Sequence, residues 1–210
     1  MKKIIATVII LVSILTASSQ DTIKLKRFID ISISAIGFGG DFVTNSSGVQ
    51  AGIEFRLKNN LSMQCDLRYI FDIVKIHGYG QLNVNVDDLW GIAINTEIKR
   101  YLAQSKNELS GGYVGGQTLL IYTESYQADN KINRTKIGLY ATIGWKYIAN
   151  SGFLFETMAG LGAQVISSYY SLNQSDINSG YNEFPWSKPY ESGTYLYPDV
   201  SWNVRIGWRF

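Results

Sequence analysis

The chain has 210 residues, with 19 Lys+Arg against 17 Asp+Glu, one cysteine and 46% hydrophobic residues. A single cysteine excludes an internal disulfide framework, and the near-balance of charge argues against nucleic acid or other polyanions as partners. The length fits one domain, and no segment beyond the N-terminus has the apolar run of a membrane-spanning helix.

Lys2 and Lys3 precede an apolar run from Ile4 to Leu15, followed by the small residues Thr16-Ala17-Ser18-Ser19. That pattern reads as a secretory signal peptide over residues 1–19, leaving Gln20–Phe210 as the mature domain. The run is too short to cross a bilayer as a helix. Losing Lys2 and Lys3 takes the basic count from 19 to 17, equal to the acidic count.

From there the apolar residues recur with period two, the signature of half-buried strands. The first strand runs from Phe28 to Phe38, and Gly40–Ser47 is a polar loop. Val49–Leu57 alternates again, turns at Lys58-Asn59-Asn60, and returns as Leu61–Phe71. A long loop from about Ile73 to Asp88 precedes the strand Leu89–Leu102, and Ala103–Ser110 is a polar turn. Gly112–Glu124 is a weaker strand, because Leu119, Leu120 and Ile121 blur its two faces. After a loop at Gln127–Asn133 come Lys136–Ile148, the turn Asn150-Ser151-Gly152 and Phe153–Ile166. Ser167–Tyr197 is a long loop holding or bordering all three prolines, Pro185, Pro189 and Pro198, and Pro198–Phe210 is the last strand. Eight strands with alternately long and short connections predict an all-β, eight-stranded antiparallel up-and-down barrel with both ends on the short-turn side.

Alternation does not say which face is outside, and a soluble lipocalin-like barrel is the alternative. Three features favour a transmembrane barrel with its apolar face outward. That face carries no charge over its central stretch, as a lipid-facing band requires. Its aromatics gather near the strand ends: Phe55, Trp145, Tyr147, Phe153, Phe155, Trp208 and Phe210 at one, Tyr69, Phe71, Trp90 and Tyr122 at the other. The loops are longer on one side. Those around His77, Asp129 and Trp186 are expected outside the cell, and Asn59, Lys106 and Ser151 on the periplasmic side.

The last strand, with Trp202, Val204, Ile206, Trp208 and Phe210 on one face, resembles the assembly signal of bacterial outer-membrane barrels. The resemblance implies that the barrel-insertion machinery recognises it. The whole mature chain resembles the small OmpA/OmpW-like eight-stranded barrels. The segments Asn95–Leu102 and Gly111-Gly112-Tyr113-Val114-Gly115 look like those of a domain-of-unknown-function family of such barrels, with Lys99 where Arg is usual and Arg100 where an aromatic is usual. This implies a Gram-negative outer-membrane location with lipid as surroundings.

The opposite face points into the lumen. It carries Asp30, Glu54, Asp66, Glu97 and Glu156 with Arg56, Arg68, Lys99, Lys136, Lys146, Arg205 and Arg209, expected to pair as a plug rather than line an ion path. The inward glycines Gly138, Gly144, Gly160, Gly162 and Gly207 are expected to make room for long arginines or to let strands bend. No catalytic residues, cofactor or metal site are expected. The one histidine, His77, has no nucleophile at a telling spacing, and Asp87-Asp88 and Cys65 read as loop polarity and a small apolar filler. The last long loop is rich in rings beside polar groups, and Tyr181, Phe184, Trp186 and Tyr190 are candidates for contact with a surface glycan or protein. The leading expectation is a non-enzymatic structural or accessory component of the cell envelope, working with an envelope-complex protein. The alternatives are a narrow pore or OmpW-like transporter of small hydrophobic molecules, and a surface adhesin.

Overall fold

The computed structural model describes residues 29–34, 47–58, 60–71, 87–102, 109–127, 130–170 and 193–210. They form β1 Ile29–Ser34, β2 Ser47–Lys58, β3 Leu61–Phe71, β4 Asp87–Tyr101, β5 Gly111–Gln127, β6 Asn130–Ile148, β7 Phe153–Tyr170 and β8 Gly193–Arg209. Each strand pairs antiparallel with the next, and β8 returns to β1, so the sheet closes into an eight-stranded barrel. The proposed signal peptide, His77, Tyr181, Phe184, Trp186 and Tyr190 lie outside the described residues.

The strands outrun their sequence signal at one end. β6 begins at Asn130 rather than Lys136, β7 continues to Tyr170, and β8 starts at Gly193. The ladder between β5 and β6 reaches Gln127 opposite Asn130. The reason is physical: Glu124, Lys131, Asn133 and Thr135 alternate with Thr123, Ser125 and Arg134, so polar residues occupy both faces and the hydrophobic period fades while pairing continues. Pro198 lies within β8, opposite Ala163, not at a loop edge. Alternate residues of a strand turn their N–H groups to alternate neighbours. Beyond Ile206 the described residues give β8 a ladder only with β7, so one side holds no ladder for Pro198 to break.

The registers fix the shape of the barrel. Stepping from Asp30 at constant register leads through Glu54, Gln64, Glu97, Gln117, Tyr140 and Gly162 to Asp199. Yet Asp30 itself pairs with Arg209, ten residues further along β8. With eight strands about 4.8 Å apart and about 3.3 Å per residue, this shear sets a tilt of about 41° and a backbone radius of about 8 Å. Each residue then rises about 2.5 Å along the axis, and each step between strands at constant register climbs about 3 Å towards the long-connection end. These increments assign every side chain a height, measured here from Asp30.

At the short-connection end Gly152 has φ 87°, a left-handed conformation that suits glycine. Its N–H donates to the Ala149 carbonyl at 2.9 Å, and its own carbonyl accepts from Arg209 N–H at 2.9 Å, tying the β6–β7 turn to the end of β8. Phe210 N–H donates to the Ile29 carbonyl at 3.0 Å beside it.

Candidate functional site

The two faces of the wall differ completely. Outward stand Ile31, Ile53, Leu67, Ile94, Leu120, Leu139, Leu161, Val200 and Ile206, all well exposed. By the barrel geometry the rings of Phe55, Trp145, Tyr147, Phe155 and Trp208 fall within about 4 Å of the Asp30 level, and those of Tyr69, Phe71, Trp90 and Tyr122 at about 19–27 Å. Two aromatic belts therefore bracket an apolar band about 25 Å tall, matching the lipid-facing band of outer-membrane barrels. Several of these rings pack on one another, with Phe153 5.3 Å from Trp208 and Trp90 6.1 Å from Tyr122. Among the described residues the outward charges lie at or beyond the belts: Lys58 and Arg100 below, and Glu124 and Lys131, 2.6 Å apart, above. Trp202, Val204, Ile206, Trp208 and Phe210 share this outer face on or beside β8.

All twelve charged residues singled out in the sequence turn inward. Nine of them meet in one network. Lys99 Nζ lies 2.8 Å from Glu54 Oε2 and 2.6 Å from Glu156 Oε1, and also donates to Gln64 Oε1. Lys146 Nζ joins Glu54 at 2.8 Å and also Asp30. Arg209 grips Asp30 with Nε at 2.7 Å and Nη2 at 2.8 Å. Arg205 reaches Asp66 at 3.0 Å, Glu156 at 2.7 Å and Glu97 at 3.5 Å. Its side chain is 1% exposed, so these charges sit in a medium of low dielectric where pairing is obligatory. Arg56 faces the lumen mouth at the short-connection end, half-buried, while Arg68 and Lys136 are buried nearer the other end.

Neutral donors complete the carboxylates' hydrogen bonding. Ser62 and Tyr101 hydroxyls donate to Glu54 Oε1 at 2.6 and 2.9 Å, Tyr113 to Glu156 at 2.6 Å and Thr142 to Glu97 at 2.8 Å. None of these hydroxyls was expected as a partner of the lumen carboxylates, and inward-facing Arg134 and Asp199 were not among the expected lumen charges. Extending the period-two count would have placed Arg134 with Lys136, and Asp199 with Ser201 and Arg205. The inward glycines also serve differently from the expectation. Gly144 lies opposite Tyr113, and a Cβ there would fall 2.3 Å from its ring, while a Cβ at Gly138 would meet the Tyr140 ring at 2.5 Å. Gly138 and Gly144 thus make room for tyrosine rings rather than arginines.

The lumen is stacked in layers. The ionic network fills the lowest part, up to about 11 Å above Asp30. Within it Tyr101 and Tyr113, near the short-connection mouth, form an apolar cluster with Leu109 and with Met158, whose backbone lies about 9 Å above Asp30. At about 12–14 Å come the neutral side chains of Gln50, Asn95, Gln117 and Asn203. Over them lies a second apolar cluster of Ile70, Ala93, Leu119, Ile121 and Tyr140, whose hydroxyl donates to Asp199 at 2.6 Å. The blurred faces of β5 are resolved here: Leu119 and Ile121 point in and Leu120 out.

No family model and no curated protein matches the chain. The resemblance to the OmpA/OmpW-like barrels therefore stays with the residues that suggest it. Among solved structures the chain is similar to the crystal structure of Neisserial surface protein A (NspA), with 14% identity over 87% of this chain and 95% of that chain and a TM-score of 0.42. The eight-stranded ring rests on the strand pairing itself.

Proposed function

We propose that this chain is a non-enzymatic outer-membrane barrel whose lumen is plugged by its own side chains, serving as a structural or accessory component of the cell envelope. The observation that carries this reading is the stack of ionic, neutral and apolar layers inside an apolar-faced wall. A pore needs a continuous wet path, and a lumen of this radius filled by paired charges and two apolar clusters supports the plugged reading over the pore. The signal-peptide pattern at residues 1–19 supports export, and the belted apolar band supports lipid as the surroundings. The Trp202–Phe210 face is assigned to the insertion machinery. The single histidine of the chain supports the non-enzymatic reading.

The β5–β8 side extends about 10 Å beyond the upper belt, with Tyr169, Thr194 and Ser167 on its outer face. This raised outer face favours a second reading as a surface contact site for a protein or glycan, the role expected of Tyr181, Phe184, Trp186 and Tyr190, which lie outside the described residues. Orientation tests both. In a Cys65→Ala background, a cysteine at Thr194 is expected to react with an impermeant maleimide on intact cells. One at Ser151 is expected to react only after the outer membrane is permeabilised. The reverse pattern would refute the assigned orientation.

A further inference from the structure

At mid-height of the apolar band the lumen holds a cavity of about 10 Å³, lined by Gln50, Asn95, Gln117, Arg68, Leu119 and Ser201 among others. That is about the smallest volume that holds one water molecule. Three buried polar atoms of its lining have no hydrogen-bond partner among the described residues: Gln50 Nε2, Asn95 Oδ1 and Gln117 Oε1. They come from β2, β4 and β5, and the barrel geometry puts all three side chains at about 12–14 Å above Asp30. The Asn95 amide is fixed in orientation, because its Nδ2 donates to Asp66 Oδ2 at 3.0 Å. Its Oδ1 is therefore the atom left to serve the cavity.

We propose that this cavity is a binding site for one resident water molecule, which accepts from Gln50 and donates to Asn95 and Gln117. One donor and two acceptors are the complement that a single water satisfies, and buried waters make about three hydrogen bonds. A metal cation fits poorly: Asp66 also lines the space, but its oxygens already accept from Gln64, Asn95 and Arg205, and the Gln50 N–H group and the Arg68 guanidinium border the cavity. An anion fits poorly, since two of the three groups are carbonyl oxygens. The neighbouring layers hold the water in place: the Arg205–Asp66 pair belongs to the ionic network on one side, and Leu119 to the apolar cluster on the other. An unmet buried amide is destabilising, so the site converts three such groups from a liability into part of the plug.

The inference goes beyond the proposed function, and the two fail separately. Crystals of the full folded protein, at a resolution that shows ordered waters, should contain one density peak within hydrogen-bond distance of all three atoms. Parallel soaks in rubidium and in bromide should leave that peak without anomalous signal. In solution, the Gln50 side-chain amide should show a water cross-peak in nuclear Overhauser spectra, which Gln117→Met should abolish while the barrel stays heat-modifiable. Gln50→Met is the second variant should Gln117→Met fail to fold, and it should abolish the density peak. An empty cavity, an anomalous ion peak, amides bonded directly to one another, or a water retained in the folded variants would overturn the site. None of these outcomes bears on whether the lumen conducts.

Discussion

Arg205→Ala should destabilise the folded barrel by about 3–5 kcal/mol, the usual cost of removing one partner from a buried ion cluster. Arg205 is 1% exposed and holds Asp66, Glu156 and Glu97 together. Its loss leaves three carboxylates crowded in the lumen with less positive charge to balance them. Lys99→Met should act in the same direction, because Lys99 bridges Glu54 and Glu156. Lys58→Ala, at an exposed position outside the network, should change stability by less than about 0.5 kcal/mol. Urea unfolding in lipid vesicles, followed by the heat-modifiable shift on gels, measures all three. A loss below about 1 kcal/mol for Arg205→Ala would mean that solvent reaches these carboxylates and that the network is no plug.

Leu161→Arg should cost about 2–4 kcal/mol in a bilayer, the penalty for a charge near the lipid midplane. Leu161 is 70% exposed and lies within the apolar band, about 16 Å above Asp30 and between the two aromatic belts. A soluble barrel with this wall would gain solubility from the same change. The comparison therefore separates the two environments, with stability in vesicles of Leu161→Arg set against Thr194→Arg, outward but beyond the upper belt. Equal stability for the two variants would argue against lipid around the band.

The sequence made the wall legible because its outer face is apolar and its inner face polar, so alternate residues meet opposite demands. Ile29, Ile31 and Ile33 against Asp30, Ser32 and Ser34 state the rule in six positions. The same rule stops informing where the outer face is no longer apolar, as at Lys131, Asn133, Thr135 and Thr194, and there the strands ran beyond their pattern. Facing was readable for all twelve charged residues, but partnership was not. That Lys99 joins Glu54 and Glu156 depends on three strands meeting across a tilted ring, and no local spacing carries that information. The shear of ten follows from stepping through every ladder from Asp30 to Asp199 and finding Asp30 opposite Arg209, a relation between distant segments. The tyrosine–glycine packing of Tyr113 on Gly144 was hidden for the same reason.

The closed lumen is tested most directly by conductance. Purified full-length protein, folded and inserted into planar bilayers, should show no steady single-channel currents across the range of voltages that the bilayer tolerates. Regular, ohmic open-channel steps from the unmodified protein would contradict the plugged barrel and favour the pore.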